Sequence, residues 1–497
     1  MTLMHLNVTA LWSSLIPILQ TVYIFCTLFI AAYSFGYFVL IVQFLLHRRD
    51  SLPHDDLKIY PTLLVQLPLY NEKHVVERLL AAVNRLDYPR DRLTVQVLDD
   101  STDDTSALVA ERVAALARRG LNIVHIRRPD RTGYKAGALA YGLTLADAEF
   151  VAVFDADFVP PRGFLKRTLP YFQTNPRVGI VQARWGSLNA GDSWLTQAQA
   201  LSIDAHFLIE QTARSRSHFL LTFSGTSGLW RRACIDDAGG WAWDTLTEDL
   251  DLSYRAQLKG WQCLCLPDLV VPGEVPPQID AYRSQQARWS KGTNQVLLKL
   301  FPRLWGRELT LMQRLMALHH LGQYLPAPVL LVMFLLTPPL LVNRALNGLP
   351  FTSILALVGL APPLMHVLAQ MTLHRRWLRT LRALPVVLLL GSGMVWNNSR
   401  AAFAAFGGSL RGRPGEFVRT PKFGRNWASS GYALVRWSAW GELAMLVYAL
   451  YGVWVALYYA PPVTPYLLLY ALSYGLVVYW SARDRWQVVQ ARRAAPA

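Results

Sequence analysis

Phe150-Val151-Ala152-Val153-Phe154-Asp155-Ala156-Asp157 is an apolar run that ends abruptly in two carboxylates one residue apart. Phe and Val favour a buried strand, and acids so close together mark the point where that strand gives way to a loop. Alternation along a strand would turn both carboxylates to one side, where a hard divalent cation such as Mg²⁺ or Mn²⁺ accepts oxygen ligands together with phosphate. A lone D-x-D is common, so its neighbours decide its meaning.

Outward from this run the pattern alternates. Thr62 to Leu67, Leu93 to Leu98, Leu121 to Ile126 and Val178 to Val181 read as further strands, separated by helical segments at Val75 to Leu86, Ser106 to Arg118, Lys135 to Leu145 and Phe164 to Phe172. This order predicts a Rossmann-like α/β domain whose mostly parallel sheet is covered by helices. Ligands of such sheets sit at the carboxyl ends of the strands. Asp99-Asp100 closes one strand there, before Ser101-Thr102-Asp103-Asp104-Thr105. Those carboxylates suit a nucleobase or ribose, while the same Ser, Thr and Asp residues suit a helix cap; the residues alone leave both readings open.

Three more motifs carry chemistry. Gly133-Tyr134-Lys135-Ala136-Gly137-Ala138-Leu139 offers a helix start and an ammonium group, both favourable to phosphate, with a solvent-exposed lysine as the plainer reading. Thr247-Glu248-Asp249 supplies a candidate general base, and Thr247 is expected to cap the following helix. Gln285-Gln286-Ala287-Arg288-Trp289 puts Gln285 and Arg288 on one helical face with Trp289 beside them. Arginine clamps diphosphate oxygens and an indole stacks on sugar, although tryptophan also anchors interfacial helices.

The chain has 497 residues, too many for one core, and its apolar residues are segregated. Leu6 to Leu46 contains no Asp, Glu, Lys or Arg; charge-poor stretches return after Leu315, and the intervening segment has a globular composition. The formal net charge of +16 is concentrated beside the hydrophobic stretches, which points to positive-inside topology and anionic lipid rather than nucleic acid. Cys26, Cys234, Cys263 and Cys265 form no disulfide framework and no paired zinc spacing, in keeping with a reducing cytosolic setting. The N-terminal run is too long for a signal-peptide core and reads as a retained anchor. Arg48 and Arg49 then place the globular insert in the cytosol. Spans are expected at about Leu315 to Val342, Phe351 to Leu373, Leu443 to Ala460 and Val463 to Trp480, with the shorter run Leu384 to Trp396 lying in the interface. The expectation is an integral membrane protein of about five crossings.

Taken in order, the D, D-x-D, T-E-D and Q-x-x-R-W motifs resemble those of processive family 2 glycosyltransferases: cellulose, chitin and hyaluronan synthases, and most closely the cellulose-synthase-like A and C proteins that make mannan, glucomannan or glucan. Gln66 to Glu72, Gln96 to Thr102, Val181 to Trp185 and Glu416 to Lys422 extend the likeness. The resemblance implies a GT-A domain inserted into an α-helical transmembrane region, a GDP-mannose or UDP-glucose donor, Mg²⁺ or Mn²⁺, inversion, and a polysaccharide acceptor that is translocated. It implies Asp249, beside Glu248, as base, Asp155 and Asp157 at metal and phosphate, and Asn71, Glu72, Asp99 and Asp100 at the nucleotide. Lys135, Gln285 and Arg288 would join them on the donor. Phe223, Gly225, Thr226 and Trp289 would meet the acceptor. Phe417 to Lys422 is similar to a gating loop, with Thr420 and Lys422 as nucleotide contacts and Arg419 where that loop has valine. Trp440 and Tyr324 would add stacking surfaces. The expected divisions are an anchor at 1–47, the GT-A domain at 48–305, an interfacial helix and two spans at 306–374, an interfacial helix and gating loop at 375–435, and two spans with a basic tail at 436–497. A non-processive enzyme making a glycolipid, like ceramide glucosyltransferases, is the alternative. Accessory or secretion subunits are left open.

Overall fold

The computed structural model describes residues 2–52, 54, 56–306, 309–346, 359–409, 419–424, 427–435 and 437–494. Its centre is a seven-stranded sheet of order β3-β2-β1-β4-β6-β5-β7. The strands are β1 (Leu63–Leu69), β2 (Leu93–Asp99), β3 (Ile123–Ile126), β4 (Phe150–Val153), β5 (Val178–Ser187), β6 (Gly228–Arg231) and β7 (Gln262–Gly273). All neighbours are parallel except β6, which runs antiparallel to β4 and to β5. The expected mostly parallel sheet is therefore present, with two strands, β6 and β7, that the runs of apolar residues had not marked.

Strand residues of alternating parity feed two cores. Val65, Val95, Ala152 and Phe154 meet the helices Val76–Asn84, Thr105–Arg118 and Phe164–Thr174, while Leu64, Leu98, Val151 and Val153 meet the helix Tyr134–Thr144. Two polar residues interrupt the second face. Gln66 donates to Gln96 Oε1 at 3.1 Å and Gln96 donates to the Gly142 carbonyl at 2.9 Å, which pairs the buried amides and leaves only Gln66 Oε1 of the two side chains without a partner. Gly142 has to be glycine there, because a Cβ would stand 2.5 Å from Gln66 Nε2 and 2.6 Å from Gln96 Oε1. This contact sets the height of the helix that carries Lys135.

The helix Ile279–Trp305 leaves the domain and is fixed at its start by buried charge. Asp484 accepts from the Ile279 amide at 2.9 Å, Ser481 donates to Asp280 Oδ2 at 3.0 Å, and Arg283 donates to Glu442 Oε1 at 2.6 Å. Glu442 and Asp484 belong to the helices Trp440–Tyr459 and Thr464–Ala494, so the Gln285 to Trp289 motif is tied directly to the C-terminal apolar region.

Among the described residues, three helical stretches are long and apolar enough to cross a membrane: Ser14–His47, Trp440–Tyr459 and Pro461–Ala494. Two bent pairs raise the count to five, Leu311–Leu321 with Pro326–Val342 at 65° and Trp377–Gly393 with Val395–Gly408 at 42°. The expected span from Leu315 to Val342 is thus broken at Gly322 to Leu325. The run Leu384 to Trp396, expected to lie in the interface, is part of a bent pair long and apolar enough to span. Of the expected span Phe351 to Leu373, only the helix Ala361–Leu373 is described, since 351–358 lie outside the described residues.

Candidate active site

The carboxyl ends of β1, β2 and β4 open into a cavity of about 490 Å³. β4 stops at Val153, and the Phe158 amide donates back to the Asp155 carbonyl at 3.1 Å, so Asp155 and Asp157 stand in a turn. Their approach to one side therefore comes from turn geometry and not from strand alternation. Both line the cavity. Lys135 Nζ lies 2.6 Å from Asp155 Oδ1 and also donates to the Gly225 carbonyl at 2.8 Å. This lysine is half-buried at the first turn of its helix, which sets aside the plainer exposed reading; desolvation pulls its pKa down, but Asp155 and Glu248 outweigh that and hold it above its ordinary value. Lys422 Nζ lies 2.8 Å from Asp157 Oδ2, which also accepts from the Glu274 amide at 3.1 Å.

Asp99 and Asp100 part company. Asp99 is 1% exposed and lies outside the cavity lining, its Oδ1 taken by the Ser101 amide at 2.9 Å and its Oδ2 by His125 Nε2 at 2.9 Å. Burial pushes its carboxyl up, yet these hydrogen bonds prevail and hold it at about 2. Asp99, expected at the nucleotide, is thus placed beneath the cavity, where it braces the loop. Asp100 does line the cavity, held by Arg128 Nε at 3.0 Å. Asn71, at φ 58°, is likewise outside the lining: it ties its amide to Ser101 Oγ at 2.9 Å and its Oδ1 to the Thr102 amide at 2.8 Å. Neighbouring Glu72 faces in and is pushed up to about 8, chiefly by burial, with Arg419 and Lys422 opposing.

Opposite the aspartates, the helix Glu248–Gln257 presents Glu248 and Asp249 to the cavity. Asp249 Oδ1 accepts from the Leu250 amide at 2.8 Å. Its Oδ2 faces Gly225, where a Cβ would come within 2.8 Å; with φ at 82°, Gly225 is needed on both counts. Burial first, and then the charge of Glu248, raise Asp249 to about 7 against Lys135, the Leu250 amide and Arg288. Thr247 makes no side-chain cap, contrary to expectation: its Cγ2 abuts Gly292, where an added Cβ would stand 2.6 Å away. Gln285, Arg288 and Trp289 all reach the cavity, and the charges of Glu248, Asp249 and Asp155 all act on Arg288.

Gly225 lines the cavity, but Phe223 and Thr226 are fully buried behind it. Phe223 packs on Trp230, and Thr226 Oγ1 accepts from the Asp155 amide at 2.8 Å, so both support the turn rather than face a ligand. Thr420 joins the lining, and Tyr324 does so while donating to Gln286 at 3.1 Å. Trp440 is 68% exposed and outside it. Glu416, Phe417 and Val418 lie outside the described residues. Arg419, whose role the sequence left unassigned, donates to the Asn71 carbonyl at 2.6 Å and meets Glu72 at 3.2 Å, strapping 419–424 across the cavity. Residues the sequence did not single out include Arg131, 3.3 Å above the Tyr70 ring, and His206 and His320 at the end toward the apolar helices. The Arg127, Arg128, Arg131 series after a strand was the signal for the first.

A divalent ion fits this donor set. Asp155 and Asp157 are oxygen ligands, and Asp157 Oδ1 and Glu72 Oε2 are buried atoms without a hydrogen-bond partner. Among the described residues no three His, Cys, Asp or Glu side chains are gathered around one point. Phosphate oxygens and water would complete the shell, as is usual for Mg²⁺ and workable for Mn²⁺.

Comparison with known proteins bears on this geometry. The family model described as glycosyltransferase like family 2 matches residues 61–292. Glucomannan 4-beta-mannosyltransferase 1 of Cyamopsis tetragonoloba is 40% identical over 303 residues, covering 58% of each chain. Glucomannan 4-beta-mannosyltransferase 2 of Arabidopsis thaliana is 44% identical over 255 residues, covering 50% of this chain and 48% of that protein. The chain thus spans about half the length of the curated relatives it matches. A solved mannosyltransferase from Pyrobaculum calidifontis, in complex with GDP-Man and Mn2+, aligns with a TM-score of 0.53 at 22% identity, over 78% of this chain and 99% of that one, which shows a shared GT-A fold. Sheet, cavity and relatives agree: residues 61–292, which match the family 2 glycosyltransferase model, carry the GT-A fold and the cavity.

Proposed function

We propose that the chain is an inverting hexosyltransferase, embedded in the membrane through its apolar helices, that extends a β-linked polysaccharide from a nucleoside diphosphate hexose. The observation that carries this reading is the placement of Asp249, a carboxylate raised to about 7, in a cavity with Lys135 and Arg288. Asp249 takes the proton of the acceptor hydroxyl as its oxygen bonds to the donor's anomeric carbon, and the bond from that carbon to the diphosphate breaks on the opposite face. Lys135 and Arg288 meet the charge that develops on the departing diphosphate. A divalent ion held by Asp155 and Asp157 would supply further charge stabilisation there. Trp289 offers its ring to the acceptor sugar. The relatives' names favour mannose over glucose as the transferred sugar, and GDP-mannose is the donor we propose ahead of UDP-glucose. Arg131 on Tyr70 lies at the nucleotide end, whereas His320 and Tyr324, beside the break between Leu321 and Pro326, mark an acceptor end directed at the apolar helices. The divisions expected from sequence are retained in this reading, with the cytosolic catalytic unit at 48–305.

The test is a donor panel with Mn²⁺ or Mg²⁺ on purified full-length protein, measuring released GDP or UDP and digesting the product with linkage-specific glycanases. Polymer cleaved by a β-mannanase is expected. A single glycosylated lipid, or nucleotide release without transfer, would overturn the reading.

A further inference from the structure

A second cavity, of about 800 Å³, lies where the helix Thr2–His47 meets the catalytic domain, and it shares no lining residue with the active site. Its wall carries Arg48, Arg49, Lys166, Arg167 and Arg216, against Asp50, Asp56 and Asp268. Several of these charges are poorly matched. Arg167 and Arg216 donate to the backbone carbonyls of Asp268 and Asp50, at 3.1 Å each, rather than to carboxylates. The Asp50 carboxylate faces His47 Nδ1 at 2.8 Å. Arg216 Nη1 is buried without a hydrogen-bond partner, and burial lowers the pKa of its guanidinium. Arg48 and Arg49 are exposed and have no hydrogen-bond or ion-pair partner among the described residues. Lys166 alone holds a carboxylate, that of Asp87 at 3.0 Å.

The floor is apolar, with Phe44, Leu208 and Leu269, and the surface beside it is apolar too. Val42, Leu45 and Leu46 are exposed on the N-terminal helix just before Arg48, and Met371 is exposed next to the cavity residue Thr372. A ligand that satisfies both parts is a phosphate group with a hydrocarbon tail. Basic pockets at the cytosolic end of membrane helices bind such headgroups.

We propose that this cavity binds the phosphate headgroup of an anionic phospholipid, with its acyl chains laid along the exposed face of the N-terminal helix. The proposal rests on the reading of that helix as a membrane span. The lipid would brace the catalytic domain against the bilayer at a point remote from the chemistry.

The experiment uses full-length protein in a neutral detergent, with retained lipid counted by native mass spectrometry after addition of phosphatidylglycerol or phosphatidylcholine. Phosphatidylglycerol should be retained preferentially, with binding weakened by about fivefold for each arginine removed in Arg48→Ala/Arg49→Ala and in Arg216→Ala. The exposed double variant guards against misfolding at Arg216. Arg379→Ala/Arg382→Ala, which removes exposed basic residues outside the cavity, should bind as the parent does. Equal retention of both lipids, or equal loss in the control variant, would overturn the proposal; displacement of the lipid by millimolar glycerol phosphate would show a soluble phosphate site instead. Protein released from membranes by a carbonate wash would refute the membrane reading itself, a separate outcome.

Discussion

Two acidic pairs follow β2 and β4, the strands on either side of β1, and they are held in opposite ways. Asp99 is fixed by a backbone amide and an imidazole and Asp100 by a guanidinium, all within the domain. Asp155 and Asp157 are each met by the ammonium of a long lysine, one of them on the 419–424 strap, and Asp157 keeps one buried oxygen without a partner. A carboxylate matched by rigid local donors serves architecture. One matched by flexible cations can exchange them for a metal ion or a diphosphate's counter-charges.

Asp249→Asn sets the scale for loss of chemistry: turnover should fall by about 10²–10⁴-fold with donor binding little changed, measured as released nucleoside diphosphate and by donor titration. Asp155→Asn should lower turnover by about 10²–10³-fold and weaken the Mn²⁺ dependence, while the thermal midpoint stays near the parent's. An equal loss in Asp99→Asn would break the contrast between the pairs. Because Asp249 must be unprotonated to act and stands at about 7, kcat/KM should climb as pH rises through that value and level off above it. Asp99→Asn should instead cost stability, about 2 kcal/mol in a denaturant titration at neutral pH, with kcat changed the least. The sign follows from its lowered pKa: the stabilisation is whole above about 4, the unfolded value, and disappears as pH falls toward about 2.

Much of this was legible because apolar strand runs and acidic strand ends are local signals. Strands β1 to β4 lie close to their expected limits, β5 starts at Val178 as expected but runs on to Ser187, and the D-x-D, T-E-D and Q-x-x-R-W residues converge on one cavity. What stayed hidden is non-local. β6 is only Gly228–Arg231, too short to show a period, and its antiparallel course is set by the sheet around it. Asp99 looked like a ligand-facing acid because nothing in its own neighbourhood announces His125, which adjacent β3 brings to it. Phe223 and Thr226 flank the lining residues Ser224 and Gly225, yet both are fully buried, a difference no local pattern announces. Composition likewise registers apolar length but not the 65° break after Leu321.

The buried charges at the start of the helix Ile279–Trp305 have a mechanical consequence. Shifting that helix along its axis would separate Arg283 from Glu442 and the Ile279 amide from Asp484, and stranding a buried ion costs about 3–5 kcal/mol. Gln285, Arg288 and Trp289 are therefore a fixed anvil. Under the proposed polysaccharide extension, a stroke that advances the product by one sugar would fall to the lighter part, the strap bearing Arg419 and Lys422, or to the sugar chain sliding past a stationary indole.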